Sequence, residues 1–205
     1  RRNYLLTGDK VLNDKKLKVG EKRKLEILEA AKKCFLDKGF QNTTMEDVIE
    51  KVSLSKGGVY YHYGSTYEMI YDFMKLGIKY RGEKNKTIDT SKLTTLDAIT
   101  EMMMERIYDE NEFKSIYAIF LKLQNEDKRL CEMFENLKET NTEILSSAFA
   151  PNDKLSSIFE DEFLVTFVNT LILGYESLNQ KEIFIENKKT IKKMLEGYLK
   201  EKLIN

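Results

Sequence analysis

Proline occurs once and glycine only ten times in the 205 residues of this chain. Folds built from many short strands need a turn about every 8–12 residues, and such turns depend on glycine and proline. Helices continue for long stretches without either residue, and both residues destabilise a helix interior. The scarcity of turn formers therefore predicts an all-α fold. The length allows one large domain or two smaller ones.

Several function classes require residues that this sequence lacks. The longest apolar run, residues 163–173, is interrupted by polar side chains and is shorter than the roughly 18 residues that a membrane span needs. Cys34 and Cys131 fit no zinc-binding spacing, and His62 is the single histidine. We therefore expect that the protein is not an enzyme and that it has no catalytic residues, no metal site and no cofactor. We also expect a cytoplasmic protein that does not bind membranes and keeps both cysteines reduced and buried.

Charge is balanced over the whole chain but not along it. The chain has 34 basic and 34 acidic residues, yet its first 80 residues contain 16 basic and only 11 acidic ones. Nine basic and three acidic residues fall within the first 24, whereas residues 25–80 contain seven and eight. The excess lies mainly in a basic N-terminal arm, residues 1–20, which is either a solvated tail or a phosphate-contacting segment. The neutral total excludes a protein that coats DNA uniformly.

Two helices are predicted after this arm. Apolar residues recur at helical spacing from Lys22 until Gly39 ends the first helix. Thr43 and Glu46, three residues apart, form the capping-box pattern that starts a second helix.

A third, short helix is predicted after a tight turn at 53–54. The valine and the aromatic residues of segment 55–63 favour a strand, and glycines destabilise a helix interior. If Ser55 is the N-cap, however, Gly57 and Gly58 fall in the first turn, where they cost less and permit a close backbone approach. Two short helices joined by such a turn form a helix-turn-helix, with the second as recognition helix.

Longer helices are predicted for the rest of the chain. Their expected bounds are 66–80, 93–108, 112–123, 127–149, 156–178 and 183–203. A polar linker is expected at 82–92, and the clearest break is Pro151-Asn152-Asp153.

The segments Gly39-Phe40, 43–49 and 54–63 together resemble the DNA-binding domain of TetR-family transcriptional regulators. The resemblance covers residues 25–69, and the remainder is similar only in layout. It implies an N-terminal three-helix helix-turn-helix DNA-binding domain, residues 21–68, followed by a helical effector-binding and dimerisation bundle, residues 69–205. It also implies a sequence-specific regulator of transcription, with a repressor that leaves its operator on binding a small molecule as the expected form.

Carried over by position, the resemblance implies DNA contacts by residues in or beside the second to fourth helices. These are Thr44, Ser55, Lys56, Gly57, Gly58, Tyr60, Tyr61, His62 and Thr66. The Thr44 hydroxyl would contact a phosphate. Lys56 and the two glycines would lie at the base-reading end of the recognition helix. The tyrosines and His62 would brace the DNA backbone, and Tyr60 would also touch a thymine methyl.

Three positions depart from the family pattern. Val52-Ser53 replaces a small Ala-Gly pair, Thr66 replaces a lysine that grips a phosphate, and Tyr67 replaces an acid. Losing one ionic phosphate contact should reduce the slope of log affinity against log salt concentration by about 0.9. Phosphate contacts of the basic arm would compensate for this loss. We expect specificity to depend on Lys56, Tyr60 and DNA shape.

The helix after Pro151 is apolar over an arc of roughly 200°, although one packed neighbour needs only about 100°. Pairing of the two C-terminal helices with their symmetry mates in a homodimer would explain this surface; burial of both faces within one chain is the alternative. A dimer would read two half-sites of a partly palindromic double-stranded operator.

An effector pocket has weaker sequence support. Candidate residues are Met103, Arg106, Tyr117, Phe120, Phe134, Phe167, Asn169 and Tyr175. Arg106 falls within the apolar arc of its helix, where it would meet an anionic effector, pair with a neighbouring acid or extend to solvent. The aromatic residues serve equally well as ordinary core. The alternative function is a helical ligand-sensing or protein-interaction module without tight operator binding.

Overall fold

A computed structural model describes residues 18–88, 93–148, 158 and 160–204 of the chain. Helices follow one another throughout these residues and no strand is present among them, which confirms the all-α prediction. The helices are α1 Val19–Lys38, α2 Met45–Ile49, α3 Lys56–His62, α4 Thr66–Asn85, α5 Thr95–Tyr108, α6 Glu112–Leu123, α7 Lys128–Ala148, α8 Glu162–Ser177, α9 Lys181–Glu186 and α10 Lys188–Ile204. A short 3-10 turn, Phe40–Asn42, follows α1.

Several helix bounds differ from the sequence prediction, most clearly at the end of α4, at the start of α8, which is Glu162 and not residue 156, and within the last predicted helix. The predicted linker at 82–92 is wrong in its first part because α4 continues to Asn85, and Lys84 on this extension forms ion pairs with Glu105 and Asp109 at 3.7 and 3.4 Å. The predicted last helix is divided at Asn187, whose side-chain amide donates to the Ile183 carbonyl at 2.9 Å and so ends α9.

The chain divides into two compact units. The described part of the first unit comprises residues 18–80 and Asn111–Phe134, and that of the second comprises Arg81–Glu110 and the residues from Glu135 onward. The first unit therefore contains α6 and the start of α7 in addition to the predicted helix-turn-helix segment. The boundary at residue 68 stays a prediction.

In the first unit, α1 packs against α2, the 3-10 turn and α6. Its core is formed by Ile27, Leu28, Ala31, Phe35, Val48, Val59, Met69, Ile70, Phe73, Ile116 and Phe120. Gly77 permits a close approach of α4 to α6, because a Cβ there would lie 3.2 Å from the Cβ of Phe113. Lys32 joins α1 to α6 through an ion pair with Glu112, and it also pairs with Glu29 on its own helix at 2.6 Å. Burial opposes the charge of Lys32, but these two hydrogen bonds outweigh it and raise its pKa.

In the second unit, α5 packs against α8 and α10, and α9 contacts both α8 and α10. The core residues are Ala98, Ile99, Met102, Met103, Met104, Ile107, Leu164, Val168, Ile172, Tyr175, Leu195 and Leu199. Asp161 caps α8 by accepting a hydrogen bond from the Leu164 amide at 2.8 Å, which sets the start of this helix at Glu162.

Some predictions fall outside the described residues. These include the basic arm up to residue 17 and the break at Pro151-Asn152-Asp153. The prediction that both cysteines are buried is wrong for Cys131, which lies on the exposed side of α7, whereas Cys34 is buried. Among the described helices, none has the length and apolar character needed to cross a membrane.

Candidate nucleic-acid interface

The first predicted DNA contact lies at the start of α2. The N-cap of this helix is Thr44 and not Thr43, and its capping box uses Asp47 and not Glu46. The Thr43 hydroxyl does not cap this helix and instead donates to the Gly39 carbonyl at 2.8 Å. The Thr44 hydroxyl accepts from the Asp47 amide at 3.3 Å and donates to the Asp47 carboxylate at 2.6 Å. Since a hydroxyl has one proton, Thr44 can donate to a phosphate only after it gives up its hydrogen bond to the Asp47 carboxylate.

Asp47 is the centre of a small polar cluster. Its carboxylate forms an ion pair with Lys38 and accepts hydrogen bonds from the amide and the hydroxyl of Thr44. The Lys38 ammonium, followed by the Thr44 donors, lowers the pKa of the Asp47 carboxyl well below its ordinary value. The Asp47 carboxylate is therefore ionised at neutral pH, and its negative charge beside the start of α2 is paired with the positive charge of Lys38.

The recognition helix α3 begins as predicted. The Ser55 hydroxyl caps it by accepting a hydrogen bond from the Gly58 amide at 3.2 Å. A Cβ on Gly58 would lie 3.3 Å from the side chain of Leu54, whereas a Cβ on Gly57 would meet nothing within 4 Å. Gly58 thus packs α3 against the preceding turn, and Gly57 leaves open space in front of the backbone.

The turn before α3 is tied to α1 by a contact that the sequence did not predict. Glu26 accepts hydrogen bonds from the amide and the hydroxyl of Ser53, at 2.9 and 2.5 Å. The Ser53 hydroxyl is the main cause of a lowered Glu26 pKa, and burial opposes it. Ser53, one of the departures from the family pattern, therefore fixes the turn.

The aromatic residues of α3 have different environments. Tyr61 is 84% exposed, Tyr60 is exposed to a lesser degree, and His62 is half-buried against the edge of Tyr61. Val59 and Tyr63 are buried, and the Tyr63 hydroxyl donates to Asp72 on α4 at 3.1 Å. Burial on one side holds the helix in place while its other side presents side chains to a partner.

Lys56, the predicted base-reading residue, is paired with an acid of α2. Its ammonium lies 3.1 Å from Glu46 Oε1 and 5.7 Å from the centre of the Tyr60 ring. The Glu46 carboxylate raises the pKa of Lys56, and Lys56 lowers the pKa of Glu46. The sequence gives no signal for the role of Glu46, because the pair joins residues ten positions apart across the turn.

At the start of α4, Thr66 is half-buried and Ser65 caps the helix by accepting from the Glu68 amide at 3.3 Å. Tyr67 points to the start of α7, where its hydroxyl donates to Asp127 and the Arg129 guanidinium lies 3.9 Å from the centre of its ring. Tyr67, the third departure from the family pattern, thus joins α4 to α7 within the first unit.

The eight predicted effector residues are divided between the two units. Tyr117, Phe120 and Phe134 belong to the first, and the other five belong to the second. Phe120 is fully buried, with its ring 6.2 Å from that of Phe134. Met103 is also buried.

The polar members of this set have protein partners. In the second unit, Arg106 donates to the side-chain oxygen of Asn169 at 3.0 Å. The hydroxyl of Tyr175 donates to Glu110 at 2.6 Å, and Phe167 stacks on Phe163. The structure therefore brings Arg106 and Asn169 together, while Tyr175 belongs to a separate cluster at the ends of α5 and α8. Within the described residues, no group of three or more His, Cys, Asp or Glu side chains could hold a metal ion.

Known proteins with similar sequences or folds agree with the helix-turn-helix geometry. A sequence profile described as "Bacterial regulatory proteins, tetR family" matches residues 27–71. The uncharacterised helix-turn-helix transcriptional regulator YfiR of Bacillus subtilis is 39% identical over 87 residues, which are 40% of this chain and 42% of YfiR. The chain thus aligns with less than half of that relative.

Two further proteins match over most of the chain. IcaR of Staphylococcus aureus, a negative transcriptional regulator of the biofilm operon icaADBC, is 23% identical over 78% of this chain and 83% of its own. GusR of Salmonella enterica has a similar fold, with a TM-score of 0.70 and 18% identity over 90% of this chain and 99% of its own. The helix-turn-helix geometry and the family profile over residues 27–71 agree that this part of the chain is a DNA-binding domain of the TetR type, and the chain as a whole is similar to DNA-binding regulators of transcription.

Proposed function

We propose that the protein is a homodimeric repressor that binds a partly palindromic operator and leaves it when a small-molecule effector binds. The recognition helix α3 is the observation that carries this proposal. Its buried side is anchored by Val59 and Tyr63, while Lys56, Tyr60 and Tyr61 are exposed. In a helix-turn-helix protein, side chains in these positions enter the major groove and contact the flanking phosphates.

The exposed apolar surface of the second unit supports a homodimer. On α8, Leu164, Val168 and Ile172 are buried within the chain, whereas Phe163 is more than half exposed. Further exposed apolar side chains lie at Leu178, Ile183, Ile185 and Met194. A second copy of α8 and α10 would cover this surface and place two copies of α3 at half-sites about 34–36 Å apart.

The proposed effector binds in the second unit. Arg106 and Asn169 form a polar pair, and Met102 and Met103, which are buried, lie one turn before Arg106 on α5. Polar groups that converge in an apolar environment are typical of ligand sites, and methionines adapt to ligands of different shapes. This pair favours an effector that is mostly apolar and carries a hydrogen-bonding group.

The operator is identified by selection from a pool of random-sequence DNA duplexes. We expect enrichment of a partly palindromic sequence with half-sites about one helical turn apart. Lys56→Ala should weaken binding of the selected duplex and relax its sequence preference, whereas Lys51→Ala, which removes an exposed lysine away from α3, should retain the preference. If no sequence is enriched at low salt, the chain is instead a ligand-sensing or protein-interaction module.

Dimerisation is tested separately. Sedimentation should give the mass of a dimer for the wild-type chain, and the double variant Phe163→Glu with Met194→Glu should give that of a monomer. A dimer that persists in this variant would show that the two chains associate through a different surface. Native mass spectrometry of the purified protein would reveal a co-purified effector, and Arg106→Met should reduce its occupancy.

A further inference from the structure

The ion pair between Glu46 and Lys56 joins α2 to the recognition helix on the surface of the first unit. The side chain of Glu46 is 59% exposed and that of Lys56 is 66% exposed, with 3.1 Å between the carboxylate and the ammonium. An exposed pair of this kind adds little to stability, because water and salt screen it. The fold therefore has little need of this interaction, yet it occupies the cation that the recognition helix offers to DNA.

The neighbouring acid of α2 does not compete for Lys56. Asp47 is already bound by Lys38 and by the two donors of Thr44. The Lys56 ammonium donates a hydrogen bond to Glu46, and the same ammonium lies 5.7 Å from the centre of the Tyr60 ring. Both contacts hold the Lys56 side chain near the start of α3.

This arrangement affects random DNA and the operator differently. Binding to random DNA depends on lysines and arginines that replace counterions at phosphates. A lysine that keeps its carboxylate partner contributes no net charge to that binding, and Glu46 itself repels phosphates. A guanine edge offers two acceptors, O6 and N7, to one lysine, and this two-acceptor contact at the correct sequence compensates for the lost carboxylate partner.

We propose that Glu46 determines specificity by restraining Lys56: it keeps the ammonium from phosphates and releases it to base acceptors at the correct sequence. This inference rests on the proposed function and adds a residue to the reading site. Glu46 is thus a positioning residue that acts through Lys56. It favours the operator by weakening binding to every other sequence.

The test compares Glu46→Gln with Asp37→Asn. Asp37 also forms an exposed ion pair, with Lys51 at 3.1 Å, so its variant removes the same charge from the same unit without affecting α3. The probes are the duplex selected by the wild-type protein and a scrambled duplex of the same length and composition. For Glu46→Gln, we expect binding to the scrambled duplex to rise about two- to fivefold, the range of an exposed ion pair. Its salt slope should steepen by about 0.9, and binding to the selected duplex should change less than twofold.

A double variant shows whether the effect passes through Lys56. In a Lys56→Gln background, Glu46→Gln should leave the ratio of the two affinities unchanged. An equal effect of Glu46→Gln on both duplexes, as expected for Asp37→Asn, would overturn the inference. A loss of specificity that persists without Lys56 would also overturn it. Failure of the wild-type protein to enrich any sequence contradicts the proposed function itself, so the two failures are distinguishable.

Discussion

Aromatic residues at helical spacing occur in both α3 and α6, but the two helices use them in opposite ways. Tyr61 on α3 is 84% exposed, whereas Phe120 on α6 is fully buried beside Phe134. Tyr61 was a candidate site residue through the family resemblance and Phe120 as a possible pocket wall, and neither signal reveals what covers the side chain. A partner reaches Tyr61 without any rearrangement of the protein, while a ligand would reach Phe120 only by opening the core.

The polar pairs of the two units differ in the same sense. Glu46 and Lys56 meet on the surface, whereas Arg106 donates to Asn169, which is buried on α8. Water screens the first pair and is largely excluded from the second. The exposed pair is therefore directly accessible to a binding partner, whereas breaking the buried pair should also destabilise the second unit.

The strongest test of this comparison is the substitution of the buried aromatic residue. Phe120→Ala should lower the free energy of unfolding by about 3–5 kcal/mol, because it removes a large side chain from a filled core. Urea denaturation measures the change, and Phe120→Leu, which keeps most of the volume, should lose less than about 1.5 kcal/mol. Unchanged stability in Phe120→Ala would mean that the side chain lines an open cavity, as an effector site requires.

Asn169→Leu tests the buried polar pair. Loss of the hydrogen bond to the Arg106 guanidinium should cost about 1.5–3 kcal/mol of unfolding free energy. The matched control is Thr170→Val on the next, exposed position of α8, which should change stability by less than about 0.5 kcal/mol. If Asn169→Leu instead stabilises the protein, the pair is retained for ligand binding at the expense of stability.

A third prediction concerns the buried side of α3 at alkaline pH. Burial and the nearby Asp72 carboxylate raise the pKa of Tyr63 above its ordinary value of 10.0. The unfolded chain ionises this phenol first, so its contribution to stability is complete below pH 10 and is lost as the pH rises further. Between pH 9 and 11, the wild-type protein should lose about 1.4 kcal/mol more than Tyr63→Phe in urea denaturation. Parallel pH profiles would show that Tyr63 ionises equally in both states.

The sequence predicts features that depend on local signals and fails where distant residues decide. The α6 bounds and the Ser55 cap follow from neighbouring residues and are as predicted. Thr43 and Thr44 each precede an acid by three residues, and only the bond from Thr43 to Gly39 shows which of them caps α2.

Contacts across turns and between helices have no sequence signal of this kind. Lys56 meets Glu46 across the turn, and Arg106 meets Asn169 from 63 residues away. Helical periodicity indicates which face of a helix is buried, but it does not identify the residue that faces it. The recognition helix was therefore predictable, whereas the acid that restrains its lysine was not.

The smallest expected effect on stability is that of Tyr61→Ala. Because the side chain is exposed, its removal should change the free energy of unfolding by less than about 0.5 kcal/mol. Binding to the selected duplex should nevertheless weaken about fivefold, the effect of one lost hydrogen bond to the DNA backbone. Tyr61→Phe removes only the hydroxyl. If the hydroxyl makes the contact, this variant should weaken binding as much as Tyr61→Ala. Wild-type affinity in Tyr61→Ala would show that exposure alone does not make a residue of α3 part of the interface, and the contrast with Phe120 would then hold for stability only.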